Sequence, residues 1–246
     1  MKIMKFYSPA GEENYHNRLD LLTENTDMYD FYHQYLKIQP HAFLHAGFLS
    51  NFININGLNN KKAVSVGICN IKDNVMAHNS NLDLTVFDID KEHVDASNKI
   101  LQRDDGNVSL TYKLNDILCS NDKKKNYSLG ILCQMDYFFS DNDFKKLLQK
   151  YIDIGVEDLI ILTPSLYSPL TTNAIKFLEF LLNIINALSS YKNFKFGKKS
   201  HEYDFTYRRS LNHFGTILKK RFIEISKTDY SYPTGRIYLF YYKLKK

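Results

Sequence analysis

Apolar positions change their spacing at Lys61. Across residues 12–58 they are scattered among polar and aromatic side chains in a helical texture. Beyond Lys61, short apolar runs alternate with stretches of helical period. "AVSVG" (63–67) and "LTVFDI" (84–89) are β-rich and of a length suited to buried parallel strands. "HVDASNKIL" then sets Val94, Ser97, Ile100 and Leu101 along one helical face. "VSLTYKL" (108–114) alternates as a third strand, and "YSLGILC" (127–133) supplies a fourth. "DNDFKKLLQKYIDI" predicts a helix capped by Asp141, with Phe144, Leu147, Leu148 and Tyr151 as its buried stripe. "EDLIILT" (157–163) is a fifth strand, stopped by Pro164. An apolar helix follows from Thr171 to Leu188, then a polar, basic connection and a helix near Ser210 to Lys220. The chain ends in two β-rich runs around a turn carrying Pro233 and Gly235.

Repeated alternation of strand and helix implies a parallel sheet with helices on both faces. The last two strands break that rule. A parallel crossover needs about a dozen residues or more, and their connection is shorter, so the final strand is predicted to run in reverse. Residues 1–60 are expected to form an N-terminal helical lid, and residues 61–246 a single α/β domain around a seven-stranded sheet.

Composition narrows the class without changing this picture. A hydrophobic share of 44% against 24% charged suits a soluble globular chain, and 18 Tyr with 17 Phe can fill a sizeable core. Cys69, Cys119 and Cys133 form neither a CxxC pair nor a metal-ligand cluster, which points to a reduced, cytoplasmic setting. No signal peptide is visible at the N-terminus, and "AIKFLEFLLNIINAL", with Lys176 and Glu179 inside it, is too short to span a bilayer. The net charge of +5 is mild. Lys123–Lys125, Lys198 and Lys199 read first as solvated loops, and second as an attraction for an anionic substrate or RNA.

The chemistry is carried by "KKAVSVGICNIKDNVMAHNSNLDLTVFDIDKE" (61–92). In a sheet of this kind, ligands bind beyond the carboxyl ends of the strands, where a glycine lets the backbone approach them closely. An acid about twenty positions on accepts hydrogen bonds from ribose hydroxyls. Gly67 closes the first strand and Asp88 the second.

From Lys61 to Lys246, the order of elements and several motifs resemble the class I S-adenosylmethionine-dependent methyltransferases, a family with a Rossmann-like fold. "SVGICNI" corresponds to their first motif, with Ser65 at the usual acidic position and Cys69 and Ile71 where further glycines are usual. By the same resemblance, Gly67, Ile68 and Cys69 would face the amino-acid part of the cofactor. Asp88 would hold the ribose hydroxyls, with Asp90 as the fallback, and Ile89 would lie against the adenine. Asp116 and Ile117, after the third strand, would sit near the adenine amino group. In "ILCQMDYFF", Gln134 and Met135 would lie beside the methyl donor. The resemblance implies S-adenosyl-L-methionine as cofactor and S-adenosyl-L-homocysteine as product.

Methyl transfer from a sulfonium needs a positioned nucleophile, and an acid–base group where the acceptor must lose a proton. The lid segment "DMYDFYHQYLKIQPHAFLHAGF" offers Tyr29, Tyr32, His33, Tyr35 and His45. His33 and His45 are candidate bases, and Tyr32 and Tyr35 share a helical face that could hold a cation by its rings. Asp136 and Tyr137 after the fourth strand, Thr163, Ser165 and Tyr167 after the fifth, and Arg208 and Arg209 before the late helix are further substrate-side candidates. For each of these, ordinary packing or solvation is an equal alternative. "QMDYF" departs from the Asn/Asp-Pro-Pro-aromatic run of enzymes that methylate exocyclic amines in nucleic acids, so a small acceptor is favoured over RNA. The expected reaction is transfer to a nitrogen or oxygen of a small amine or hydroxyl compound, which phosphorylation could make anionic. An RNA methyltransferase and a non-catalytic relative are the alternatives.

Overall fold

In the computed structural model, residues 3–7, 20–24, 28–39, 42–102, 109–119, 126–163, 166–167, 205–232 and 235–246 are described. A short strand, β1 (Ile3–Tyr7), precedes two helices, α1 (Met28–Ile38) and α2 (Ala42–Ile55). The alternating region follows as β2 (Lys62–Val66), α3 (Asn70–Asn79), β3 (Asp83–Asp88), α4 (Lys91–Leu101), β4 (Leu110–Leu114) and β5 (Leu129–Cys133). A single 3-10 turn (Asp136–Phe138) leads to α5 (Asp141–Asp153) and β6 (Asp158–Thr163). The remaining elements are β7 (Leu166–Tyr167), β8 (Phe205–Ser210), α6 (Leu211–Leu218), β9 (Phe222–Tyr232) and β10 (Gly235–Leu244).

The main sheet has seven strands in the order β4-β3-β2-β5-β6-β10-β9. β10 runs antiparallel to both β6 and β9, while the pairs from β4 to β6 are parallel. The reversed last strand and the helix-flanked parallel sheet are therefore as the sequence predicts.

Period-two alternation explains the layering. Ala63, Leu84, Val86, Ile131, Ile160 and Leu239 face one way and join Leu49, Phe52 and Ile53 of α2, Met76 of α3 and Val94 of α4. Val64, Val66, Leu132, Ile161 and Phe240 face the other way, against Phe144, Leu147 and Tyr151 of α5 and Phe214 of α6. Each large aliphatic or aromatic side chain so buried contributes about 1.5–3 kcal/mol relative to exposure. A smaller cluster joins Phe31 of α1 and Ala42 and Ala46 of α2 to Ile71 of α3 and Ile100 of α4. It anchors the N-terminal helices beside the first crossover.

Three details differ from expectation. Ser140, rather than Asp141, caps α5: its hydroxyl accepts from the Asp143 N–H at 3.2 Å. The basic stretch before the late helix is a strand, β8, and it forms a second, three-stranded sheet in the order β1-β8-β7. β1 pairs antiparallel with β8 (Ile3 opposite Arg209), so the first strand of the chain is tied to a late one. The helix predicted from Thr171 to Leu188 lies outside the described residues. Among those residues, no helix is long and apolar enough to cross a membrane.

Candidate functional site

β2 lies between β3 and β5, so the chain leaves the sheet's centre in opposite directions after β2 and after β5. A cleft at the carboxyl ends of these strands is the expected consequence, and the loops that border it are Gly67–Cys69 and Gln134–Asp136. Gly67 has φ +79°, in the left-handed region that glycine adopts without steric cost. Its N–H donates to the Phe87 carbonyl at 2.8 Å. A Cβ at this position would collide with the Met135 side chain, whose Cγ would be 2.8 Å away. The space at Gly67 therefore lets Met135 lie on the loop. Met135 is flexible and half-buried, a side chain able to rearrange around a ligand.

Asp88 ends β3 and turns toward this loop. Its Oδ2 accepts from the Ile68 N–H at 2.8 Å, and its Oδ1 accepts from the Asp90 N–H at 3.0 Å. A carboxylate offers about four acceptor positions, so these two amides orient Asp88 without exhausting it. Asp90 is occupied elsewhere: it caps α4, accepting from the His93 N–H at 3.0 Å. Beside Asp88, Ile89 is 45% exposed, an uncovered apolar surface next to a fixed carboxylate. Asp116 is exposed and shapes its own turn by accepting from the Leu118 N–H at 2.9 Å, while Ile117 is buried with Val66 and Phe87.

Three contacts join the loop after β2 to the end of β5. Met135 covers Gly67, the Cys69 thiol donates to the Cys133 carbonyl at 3.7 Å, and the Lys72 ammonium donates to Gln134 Oε1. Gln134 has φ +58°, an uncommon backbone conformation for a residue with a side chain. Lys72 is only 9% exposed. Burial opposes its charge, but in the alkaline range where Lys72 titrates the acidic groups Cys133, Cys69, Tyr35 and Asp73 outweigh it and raise its pKa, so it is an ammonium at neutral pH. The hydrogen bond with Cys69, and then burial, push the Cys133 thiol well up, so that Cys133 is a neutral thiol. Sequence reasoning missed Lys72. Its signal is a charged residue immediately after Ile71, which lies in the apolar cluster beneath α1.

The rest of the loop after β5 is locked from below. Asp136 is fully buried, with Oδ2 accepting from the Thr163 hydroxyl at 3.0 Å. Arg209, also fully buried, donates to the Asp136 carbonyl at 2.8 Å, to the Phe139 carbonyl at 2.5 Å and to Asp141 Oδ1 at 2.9 Å. Its guanidinium lies 5.0 Å from the centre of the Phe144 ring. His213 meets the other Asp141 oxygen at 2.5 Å. Burial alone would raise the Asp141 pKa, but the hydrogen bonds from His213 and Arg209 outweigh it and hold the carboxyl below its ordinary range. Arg209 is thus a clamp between β8 and the loop after β5.

Within the N-terminal helices, Phe31 is buried and stacks on Tyr35 at 5.5 Å between ring centroids. Tyr32 lies 5.7 Å from Phe31 and meets Phe43 edge-on at 5.6 Å. Both tyrosines thus pack partly against the small apolar cluster. Tyr35 is also close enough to act electrostatically on Lys72, which brings α1 to the side of α3 that faces the loop after β2. His45 is half-buried on α2, His33 is exposed, and Tyr29 is 77% exposed. Tyr137, Tyr167 and Arg208 are placed by their backbone in the 3-10 turn, β7 and β8; their side chains, like Ser165 and Lys123–Lys125, Lys198 and Lys199, lie outside the described residues.

No family model and no curated protein sequence matches the chain. Solved structures do match its fold. Magnesium protoporphyrin IX methyltransferase from Synechocystis PCC 6803, with bound S-adenosylhomocysteine, aligns at TM-score 0.60 and 10% identity over 96% of this chain and 95% of its own. The N-methyltransferase NodS from Bradyrhizobium japonicum WM9, also with S-adenosylhomocysteine, aligns at 0.58 and 11% identity over 95% and 99%. A Burkholderia thailandensis 1,6-didemethyltoxoflavin-N1-methyltransferase, with bound 1,6-didemethyltoxoflavin and S-adenosylhomocysteine, aligns at 0.59 and 8% identity over 99% and 95%.

Proposed function

We propose that this chain, which has the fold of the class I S-adenosylmethionine-dependent methyltransferases, transfers a methyl group from S-adenosylmethionine to a nitrogen or oxygen of a small molecule. The observation that carries the reading is the meeting of Asp88 with the Gly67–Ile68 loop at the carboxyl ends of the central strands. That arrangement holds an oriented carboxylate beside the exposed apolar face of Ile89, as a ribose and an adenine require. The similar structures that carry S-adenosylhomocysteine support the same choice of cofactor.

The residues present fit the group. In this reading Asp88 accepts from the ribose hydroxyls, Ile89 lies against the adenine, and Asp116 lies near its amino group, with buried Ile117 supporting that turn from the core. Gly67, Ile68 and Cys69 border the amino-acid part, with Gln134 and Met135 beside the methyl group. The cofactor supplies an electrophilic methyl on a sulfonium, which an acceptor lone pair displaces in line. The chain's own contribution is to orient the acceptor, exclude water and accept a proton where the acceptor carries one.

Residues 1–60 serve as a lid in this assignment, and residues 61–246 as the cofactor-binding domain. Tyr29, Tyr32, Tyr35, His33 and His45 of the lid, with Asp136, Tyr137, Tyr167 and Arg208, form the acceptor side. Buried Asp136 acts there by holding the loop that carries Gln134 and Met135. We favour a small amine, with a phosphate as an optional anionic handle, over a nucleic acid.

Titration calorimetry with S-adenosylhomocysteine tests the cofactor assignment. Binding is expected, and Asp88→Ala should weaken it by about 1–3 kcal/mol, the scale of a lost charged hydrogen bond. Absence of binding by the folded wild type would leave a non-catalytic relative. Transfer of labelled methyl to phosphorylated amino-alcohols, to sugar hydroxyls and to total RNA then separates acceptor classes, and labelling confined to RNA would overturn the small-molecule reading.

A further inference from the structure

Lys72 is a buried cation that ties the β2–α3 turn to the loop after β5. It stands in the first turn of α3, whose cap residue Cys69 provides no side-chain hydrogen bond to that turn. Two features set its direction. Asp73, the nearby acid, is turned to the backbone, its Oδ2 accepting from the Cys69 N–H at 2.7 Å. Lys72 instead reaches across the cleft and donates to the neutral amide oxygen of Gln134. An ammonium has three donors; Gln134 takes one of them, and nearby Asp73 favours the charge electrostatically. A second polar group lies close in sequence: the Ser65 hydroxyl, fully buried two residues before Gly67, has no hydrogen-bond partner among the described residues. The β2–α3 turn combines a buried ammonium with a helix N-terminus, both suited to an anion's oxygens.

We propose that Lys72 is the anchor for the carboxylate of the cofactor's amino-acid part, reached through the Gln134 side of the cleft. The proposal rests on the methyltransferase reading and goes one step further, to a named group of the ligand. In this chain a lysine side chain takes over a task that loop glycines, absent at Cys69 and Ile71, would leave to backbone N–H groups. Gln134 is the resident partner that holds Lys72 in place until the carboxylate arrives. The bound carboxylate then accepts from the ammonium, and no covalent change is involved.

The test compares matched ligands by titration calorimetry. 5′-Methylthioadenosine keeps the nucleoside and thioether of S-adenosylhomocysteine but lacks its amino-acid part. Wild type should bind S-adenosylhomocysteine more tightly than 5′-methylthioadenosine. Lys72→Gln should lose about tenfold or more for S-adenosylhomocysteine, as for a hydrogen bond between charged groups, with 5′-methylthioadenosine unchanged; Lys72→Arg should recover most of the loss. Equal losses for both ligands, or none, would overturn the assignment while leaving the cofactor reading intact, because wild-type binding of 5′-methylthioadenosine supports that reading by itself. A measurement on the wild type needs no variant: decarboxylated S-adenosylmethionine, which keeps the sulfonium and the amine, should bind about tenfold or more weakly than S-adenosylmethionine. Equal affinities there would also overturn the proposal. Failure of the wild type to bind any of these nucleosides would remove both readings together.

Discussion

Gly67 and Arg209 show how single residues fix the site's geometry. Gly67 is required twice, by its positive φ and by Met135 lying where a Cβ would stand. Gly67→Ala should therefore lower stability by about 1–3 kcal/mol, read from the midpoint of chemical denaturation. Arg209 holds two backbone carbonyls and Asp141 from a fully buried position. Arg209→Met would leave those acceptors uncompensated, and a loss of about 3–5 kcal/mol is expected, visible as a clear drop in melting temperature. Only part of this was legible in the sequence. Gly67 and Asp88 stand out because backbone conformation and strand-end position leave a local trace. Lys72 and Arg209 do not, since whether a cation is buried depends on partners 62 and 68 to 73 positions away.

Among the elements, α5 carries a pH-sensitive attachment. Its first residue, Asp141, binds both Arg209 at the end of β8 and His213 of α6. The Asp141 pKa lies below its ordinary value of 3.8, so the unfolded chain takes up this proton before the folded one does. The resulting stabilisation is complete above that ordinary value and is lost as pH falls through the depressed one. Denaturation midpoints should fall across this acid range in the wild type, and the fall should be smaller in Asp141→Asn. The sequence supplies α5 with the correct stripe, Phe144, Leu147, Leu148 and Tyr151, all buried. It misplaces the cap by one residue because Ser140 and Asp141 are both good caps, and tertiary contact with Arg209 and His213 claims Asp141 for other work. β1 and β8 went unread for a related reason. Their pairing spans most of the chain, and strands of five and six residues carry little periodicity of their own.

Across the whole molecule, the sheet is legible because a parallel strand buried on both faces must be apolar almost throughout. The opposed direction of its last two members follows from a connection too short for a crossover. At the end of the sheet opposite the cleft, Asp158 joins Lys61, before β2, at 2.5 Å and the Tyr241 hydroxyl of β10 at 2.8 Å. Under the proposed function, Asp158→Ala should leave S-adenosylhomocysteine affinity unchanged while lowering the melting temperature, because it loosens three strands far from the candidate site; calorimetric binding and thermal denaturation measured side by side would separate the two effects. The place of β10 has a consequence for the making of the protein. β9 is synthesised first, yet it joins the sheet only through β10, which slots between it and β6. While the polypeptide emerges from a ribosome, β6 therefore keeps an unpaired edge until β10 has emerged. Nascent chains stalled before residue 235 should be readily cut by protease and held by chaperones, and resistance should arrive in one step once β10 is free of the exit tunnel.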